Sequence, residues 1–312
     1  MSSFDIDSAK HAFDAPEVDS SPAAGSSAIL DDAAGCLREL HGVAIEQLIV
    51  ERVVVGVFFT AVMFSDGSTG VAYTPPESIN RASTRILGSS PRPYRGRSAS
   101  EMIDRSLEGP FAHVVRLAAL NALSVPFLQQ ESLGATPGGD LSAIPELFAG
   151  RRVCMVGAIV PLLRKLDNIG ASEIVIIDKK KETQEEAALG HFVPVEKTEE
   201  SLASCQTAVF TGATIANGSI EELLSYVPKN SAIAVVGPTA GFVPTPLFRR
   251  GVAAVGTVAI TEGGRVLEVV SEGGGGLHIF KNGARKINLI NRPAMVEIGL
   301  LHDERMTQRI KA

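Results

Sequence analysis

One turn in the second half of the chain carries residue types that could bind an anion. Its candidate ligand-binding residues are Thr211, Gly212, Thr214 and Asn217, followed by Gly218. Hydroxyl and amide groups donate hydrogen bonds, and the turn precedes a predicted helix whose first N–H groups and dipole favour negative charge. Ser, Thr and Asn are also ordinary turn residues, so a simple capped loop fits equally well. We expect Ser219 and Glu222, at capping-box spacing, to begin the helix.

A comparable turn, Gly237, Pro238 and Thr239, follows the next apolar run along the chain. Parallel strands deliver the turns at their carboxyl ends to one edge of the sheet. We therefore expect the two turns to line one crevice, and all three residues are candidates for ligand binding.

The turn at Gly157 has the position of a nucleotide-binding loop. Asp178 follows at about the spacing, ~20 residues, at which an acidic residue meets a ribose hydroxyl in dinucleotide-binding folds. The letters GAIVP keep one of the three glycines of the GxGxxG fingerprint. Gly157 and Asp178 therefore fit either a turn that binds a nucleotide or S-adenosyl cofactor, or an ordinary solvated strand end.

Asn121 lies inside an otherwise apolar helical stretch, LAALNAL. A buried amide needs hydrogen-bond partners or it costs stability. The partner of Asn121 is either the protein itself or a ligand in a neighbouring cleft.

No group of residues has the spacing of a metal site or of a hydrolase. The Cys and His residues considered as soft-metal ligands are scattered: Cys36, Cys154, Cys205, His41, His113, His191 and His278. Tight soft-metal sites use closely spaced Cys and His, whereas Cys154 and Cys205 accompany apolar runs typical of core strands. No GxSxG motif occurs. We therefore assign no catalytic residue and no metal ligand, and we expect any bound metal to come with an organic chelator or to use oxygen ligands.

A parallel sheet must position these turns, and the stretch from Arg151 to Lys179 predicts one. Apolar runs at 153–156 and 174–177 flank a helical pattern that Gly170 closes, which is a strand, helix, strand unit. Further elements are strands at 208–210, 232–236 and 253–259 and a C-terminal helix at about 294–310. The second half is thus predicted to be an α/β domain spanning residues 141–312.

The first half predicts a smaller α+β domain over residues 28–130. Its predicted elements are a helix at 29–40, a β-hairpin with strands at 47–64 and 70–73 around Asp66-Gly67, and helices at about 98–107 and 111–123. The helix at 29–40 places Leu30, Ala33, Leu37 and Leu40 on one face. Residues 1–27, rich in Ser, Ala, Asp and Pro, predict a disordered tail.

Composition excludes several functional classes. The 312 residues carry a net charge of -6 without a basic stripe, which argues against a nucleic-acid surface. The longest apolar run, 53–64, is interrupted by Thr60 and too short to cross a membrane. Three separated cysteines and an acidic N-terminus without a secretory pattern predict a cytoplasmic protein. A homo-oligomer is left open.

Several separate motifs resemble one family. The segments GVFFTAVMFSDGSTGVAYTP, RLAALNAL, VGAIVPLLRKL, TGATIANGSIEELL and VVGPTAGFVPTPLFRRGV are similar to the family described as "putative heavy-metal chelation", over roughly residues 30–280. The resemblance implies an enolase N-terminal-like domain followed by a Rossmann-like domain, with a site in the cleft between them. It also implies that the helix of Asn121 borders this cleft, and it favours a site at the turn of Thr211.

We therefore expect the interdomain cleft to bind a small anionic or metal-associated ligand, with a role in heavy-metal chelation or metal-cofactor metabolism. The alternative is an enzyme that uses a nucleotide or S-adenosyl cofactor at the sheet edge. The sequence identifies no cofactor, and a metal ion is the candidate that the resemblance suggests.

Overall fold

The computed structural model describes residues 27–79, 92–128, 134–137, 139–179 and 188–302. Two sheets organise them: a three-stranded antiparallel sheet near the N-terminus and an eight-stranded, mostly parallel sheet that follows. The predicted tail at 1–27 lies outside the described residues except for Ser27.

The N-terminal part packs helices onto the small sheet. Its elements are α1 (Ala28–His41), β1 (Val50–Val55), β2 (Phe59–Phe64), β3 (Thr69–Tyr73), α2 (Ala99–Met102) and α3 (Ala112–Ser124). Helix α3 lies against β3 so closely that a Cβ on Gly70 would stand 2.1 Å from the backbone nitrogen of Ala122. Only glycine permits this approach. The close packing leaves α3 buried from Val114 to its end.

The predicted hairpin is confirmed in one part and wrong in another. Strands β2 and β3 pair across the Asp66-Gly67 turn as predicted. The stretch 47–64, however, forms β1 and β2 rather than one strand, because the chain reverses after Gly56, whose N–H bonds the carbonyl of Phe59. A Cβ on Gly56 would lie 2.4 Å from the carbonyl oxygen of Val270.

The predicted N-terminal helices differ in accuracy. Helices α1 and α3 are confirmed, although Leu40 of α1 is exposed rather than buried. The helix predicted at 98–107 is wrong in length, since α2 ends at Met102. Ser98 and Glu101 cap its N-terminus reciprocally.

The large sheet contains the predicted parallel strands. Its strands are β4 (Ala135–Pro137), β5 (Arg152–Val156), β6 (Glu173–Ile177), β7 (His191–Val193), β8 (Thr207–Thr211), β9 (Ala232–Val236), β10 (Ala254–Ile260) and β11 (Ala284–Ile290). Their order is β4-β11-β10-β9-β8-β5-β6-β7. Strands β5 to β10 are parallel, and β11 and β4 extend the sheet antiparallel to their neighbours. The order changes direction between β5 and β8, the position at which α/β sheets form a crevice.

Helices connect these strands. They are α4 (Val160–Ile169), α5 (Thr198–Ala203), α6 (Ala213–Ala216), α7 (Ile220–Ser225), α8 (Thr245–Phe248), α9 (Gly263–Ser271), α10 (Gly276–Lys281) and α11 (Arg292–Glu297). The C-terminal helix predicted at 294–310 is wrong in extent, because the chain turns at Gly299, which has φ 74°. Residues 303–310 of that prediction lie outside the described residues.

One hydrophobic core joins the two parts. Buried residues of α1 and α3, including Leu30 and Leu117, belong to the same cluster as Phe210 of β8 and Phe242. A second cluster covers the opposite face of the large sheet, under α4. The two parts therefore pack directly against each other. No helix among the described residues has the length and apolar character needed to cross a membrane.

Candidate functional site

A cleft of about 490 Å³ lies between the N-terminal part and the carboxyl edge of the large sheet. Residues of the segments 75–78, 105–116 and 216–219, together with Lys179, line it. We call this cavity the cleft. One wall is the start of α3, and the facing wall is the turn after α6.

Helix α3 begins at the cleft without a side-chain cap. Its N-cap residue, Phe111, has the left-handed conformation (φ 58°, ψ 22°), which is strained for a residue with a side chain. The N–H of Ala112 bonds the carbonyl of Gly109, and that of Val115 bonds the carbonyl of Phe111. The N–H groups of His113 and Val114 have no acceptor within the described chain. A 13-residue helix therefore begins at the cleft with its positive dipole end and with two unpaired N–H groups, of which that of Val114 is buried.

The loop that precedes α3 is held by a tyrosine. The Tyr94 hydroxyl donates to the carbonyl of Pro110 at 2.5 Å. Burial raises the pKa of Tyr94 to about 12, so the phenol stays protonated as a donor at physiological pH. Gly109 allows the loop to lie this close to Tyr94, because a Cβ at that position would stand only 2.6 Å from the hydroxyl.

Arg116 places a buried cation at the same wall. Its side chain is 5% exposed, and its Nη2 donates to Asp31 Oδ1 at 2.7 Å. Its Nε donates to the carbonyl of Ile103 at 2.9 Å. Its Nη1 is buried and has no hydrogen-bond partner in the described structure. Buried polar atoms are normally paired, so this nitrogen is an unmatched donor at the candidate site.

His113 bridges the two walls in its neutral form. Its Nε2 lies 2.6 Å from the carbonyl oxygen of Ala216, and a carbonyl only accepts, so Nε2 carries the proton. Burial lowers the pKa of His113, the hydrogen bond to Ala216 raises it, and the positive charge of Arg116 lowers it further. The net direction is downward, so Nδ1 of the ring is unprotonated near neutral pH.

Further charges stand at the rim. Arg105 is 68% exposed and lies 4.0 Å from Asp31, and Lys179 faces it from the end of β6. Glu77 is the carboxylate among the residues that line the cleft. Asp31 offsets part of the charge of Arg116, and three cations against Glu77 and Asp31 leave the cleft favourable to an anion.

Asn217 is the residue of the predicted site that reaches the cleft. Its Oδ1 accepts hydrogen bonds from the N–H (3.0 Å) and the hydroxyl (2.8 Å) of Ser219. The N–H of Ser219 requires an acceptor, which identifies the bonded atom as the amide oxygen and leaves the Nδ2 donor outside these two hydrogen bonds. The capping box predicted for Ser219 and Glu222 is wrong, because the Ser219 hydroxyl bonds Asn217 and makes no cap.

The turn at Gly157 is packed closely. Gly157 has φ 84°, and a Cβ there would lie 2.5 Å from the Thr211 methyl carbon. The N–H of Ala158 donates to Asp178 Oδ2 at 2.9 Å, and the N–H of Ile159 donates to the sulfur of Met155 at 3.4 Å. Pro161, in the first turn of α4, has no N–H. This helix start therefore keeps few donors for a nucleotide phosphate.

The other predicted residues form the junction between the two parts. Thr214 is buried and donates to the Thr211 carbonyl at 2.7 Å. Asn121 donates through Nδ2 to the carbonyls of Val71 (2.6 Å) and Thr239 (3.0 Å). The Thr239 hydroxyl accepts the N–H of Tyr73 at 2.9 Å.

The turns of Gly212 and Gly237 meet at this junction, as expected for one crevice. A Cβ on Gly212 would lie 2.8 Å from the Thr239 Cβ. Gly237 has φ 131°, and Pro238 follows it at the start of a short 3-10 helix. The two turns are brought together by contacts with each other and with α3, and Gly237 also lines a second, smaller cavity of about 80 Å³ beside Ile159 and Leu162.

A protein-only metal site does not fit the described residues. They contain no group of three His, Cys, Asp or Glu side chains arranged to hold a metal ion. Cys154 and Cys205 are buried in the core, as predicted. Cys154 donates to the carbonyl of Ser201 at 3.2 Å.

Arg116, His113 and Lys179 were not among the predicted site residues. Arg116 interrupts the same apolar helix as Asn121, so the argument applied to a buried amide applies more strongly to a buried guanidinium. His113 and Lys179 carry no sequence signal of their own, because the fold alone brings them to one cavity.

Two family models match this chain. Residues 140–289 match the DUF364 family and residues 38–124 match the DUF4213 family, and both are described as "Putative heavy-metal chelation". This agrees with the resemblance seen in the sequence motifs. A comparison with the curated proteins gave no match.

Two solved structures share the fold. One is a DUF364-family protein of unknown function from Pyrococcus horikoshii, with a TM-score of 0.65 and 20% identity, covering 84% of this chain and 99% of its own. The other is a DUF364-family protein of unknown function from Desulfitobacterium hafniense DCB-2, with a TM-score of 0.61 and 19% identity, covering 82% of this chain and 99% of its own. At these identities the likeness concerns the fold.

Proposed function

We propose that the cleft binds a small anionic or metal-associated ligand and that the protein acts in the handling of metals or metal cofactors. The observation that carries this proposal is the set of unmatched donors at the cleft: the N–H groups of His113 and Val114 and the Nη1 of Arg116. Unmatched buried donors cost stability unless a partner completes them. The metal association rests on the family description.

We also propose a division into an enolase N-terminal-like domain at 28–130 and a Rossmann-like domain at 141–312. The order β7-β6-β5-β8-β9-β10 of the parallel strands supports the second assignment, because it corresponds to 3-2-1-4-5-6 in chain order. In this assignment the cleft is an interdomain site at the carboxyl edge of the sheet.

Native purification followed by mass spectrometry for small molecules and metals tests the proposal. Ala112→Trp adds bulk at the cleft wall, and Ala203→Trp adds the same bulk at an exposed position of α5 as a control. We expect the wild type and Ala203→Trp to retain a ligand that Ala112→Trp lacks. Equal retention by all three proteins, or no ligand from a broad binding screen of the wild type, would contradict the proposal.

A further inference from the structure

We infer that the group recognised in the cleft is an oxyanion, such as a metal oxyanion or a phosphate, and that the cleft rejects a bare divalent metal cation. This inference rests on the proposed function, since it specifies the ligand of the same cleft. It goes further by assigning the chemistry that the cleft selects.

The groups at the cleft are predominantly hydrogen-bond donors. The free N–H groups of His113 and Val114 open one wall. Asn217 and Lys179, which carry an amide and an ammonium donor, also line the cleft. A hydrated divalent cation needs carboxylate, imidazole or thiolate ligands, whereas an oxyanion needs donors of this kind.

The unpaired Nη1 of Arg116 is a second observation, independent of the helix end. Arg116 follows the two unpaired N–H groups within the first turns of α3 and lines the same cleft. It is buried, and its Nη1 has no partner among the described residues. Asp31 holds the other edge of the guanidinium at 2.7 Å and so fixes its position.

The alternative is a cation site, and the described residues contain no suitable group of ligands for one. No three His, Cys, Asp or Glu side chains converge within them. The Nε2 of His113 is already committed to the Ala216 carbonyl, and Glu77 stands among Arg105, Arg116 and Lys179 at the cleft. A metal therefore enters this cleft as an oxyanion or within an anionic complex.

The cleft is larger than a single inorganic oxyanion, so the recognised group has two sources. It is either a free metal oxyanion or the phosphate of a larger molecule, and the chemistry of recognition is the same. Calorimetric titration of the full chain with tungstate, inorganic phosphate, adenosine monophosphate and zinc chloride separates these sources. Tungstate alone indicates a metal oxyanion, and adenosine monophosphate bound more tightly than phosphate indicates an organic phosphate; either result supports the inference.

The variants Arg105→Gln and Lys179→Gln remove exposed cations from the rim without disturbing the core. Each should weaken oxyanion binding about tenfold, because a charge-assisted hydrogen bond or close ion contact is lost. Arg265→Gln removes an exposed cation that pairs with Glu262, away from the cleft, and should leave affinity unchanged. Binding of zinc in preference to all three anions, or equal affinity in the rim variants and the wild type, would overturn the inference.

The failure of this inference differs from the failure of the proposed function. If a co-purified ligand depends on Ala112 but none of the oxyanions binds, the cleft is a site of other chemistry and the inference alone is wrong. If neither a co-purified ligand nor an oxyanion binds, both are wrong.

Discussion

Two helix N-termini at the ligand side of this fold, those of α3 and α4, look alike in outline and differ in chemistry. Both helices follow a glycine-containing turn, and they are 13 and 10 residues long. At α3 the N–H groups of His113 and Val114 lack acceptors in the described structure. At α4 Asp178 and Met155 occupy the N–H groups of Ala158 and Ile159, and Pro161 has none.

The comparison shows that a strand, glycine, helix pattern does not by itself make an anion site. A helix end attracts anions through donors that remain unpaired. The turn at Gly157 pairs the N–H groups of Gly157, Ala158 and Ile159 internally, and only that of Val160 lacks an acceptor in the described structure. The start of α3 leaves donors unpaired beside a buried cation, and for this reason we propose the binding site there.

Arg116→Met should produce the largest effect, on stability as well as binding. It leaves Asp31 and the Ile103 carbonyl without a buried partner, so we expect a loss of about 2 to 3 kcal/mol in the free energy of unfolding. The matched control is Arg105→Gln, because Arg105 is exposed and lies 4.0 Å from the same aspartate. Its effect on stability should stay within about 0.5 kcal/mol. Urea denaturation measures both, and equal losses would show that Arg116 has no special role at this wall.

Gly157→Ala should destabilise the protein by about 2 kcal/mol, because φ 84° is strained for alanine and the added Cβ meets the Thr211 methyl carbon. Thr211→Ser in the same chain removes that methyl and should restore part of the loss. Binding in the cleft should persist at temperatures where the variant is folded. Loss of oxyanion affinity in folded Gly157→Ala would move the site to α4.

The sequence predicted the scaffold better than the site, for physical reasons. Strands such as β5 and β9 are apolar and mostly buried, so composition alone reveals them. Helix α4 shows the 3.6-residue period that one buried face requires. Most of the predicted site residues instead form packed contacts, as Asn121 does with the Val71 and Thr239 carbonyls.

The cleft depends on features that no local pattern encodes. The left-handed Phe111 removes the cap of α3, and the fold brings Lys179 and Asn217 opposite it. These residues are far apart in the sequence, and none belongs to a motif with the others. The charge at Arg116 was the available signal, because a guanidinium in an apolar helix demands a partner.

Asn217→Asp should separate binding from stability. The carboxylate keeps an acceptor for the N–H and hydroxyl of Ser219, so the melting temperature should change little. It removes the amide donor and adds negative charge at the cleft, so oxyanion affinity should fall about tenfold. Asn217→Ala is the companion variant, which loses the bonds to Ser219 and should reduce the free energy of unfolding by about 0.5 to 1 kcal/mol. Unchanged affinity in Asn217→Asp would make this residue a structural cap.

The smallest predicted effect is a pH dependence of the free energy of unfolding, caused by protonation of His113. Its pKa in the folded protein is lowered from 6.5 by burial, so the unfolded chain binds the proton more readily. The stability that neutral His113 contributes is complete above pH 6.5 and is lost as the pH falls towards the lowered pKa. Urea unfolding between pH 5 and 8 measures this, with His113→Gln as the reference that keeps a donor for Ala216. An identical pH profile for the two proteins would contradict the account.

The most direct test of the central claim is an amide NMR titration of the full chain with tungstate and with phosphate. We expect saturable shifts of the His113 and Val114 N–H signals, because the oxyanion accepts hydrogen bonds from these groups. The Val160 N–H of α4 should not move. Saturable shifts of residues 157–160 with none at His113 and Val114 would contradict it and assign anion binding to the other helix.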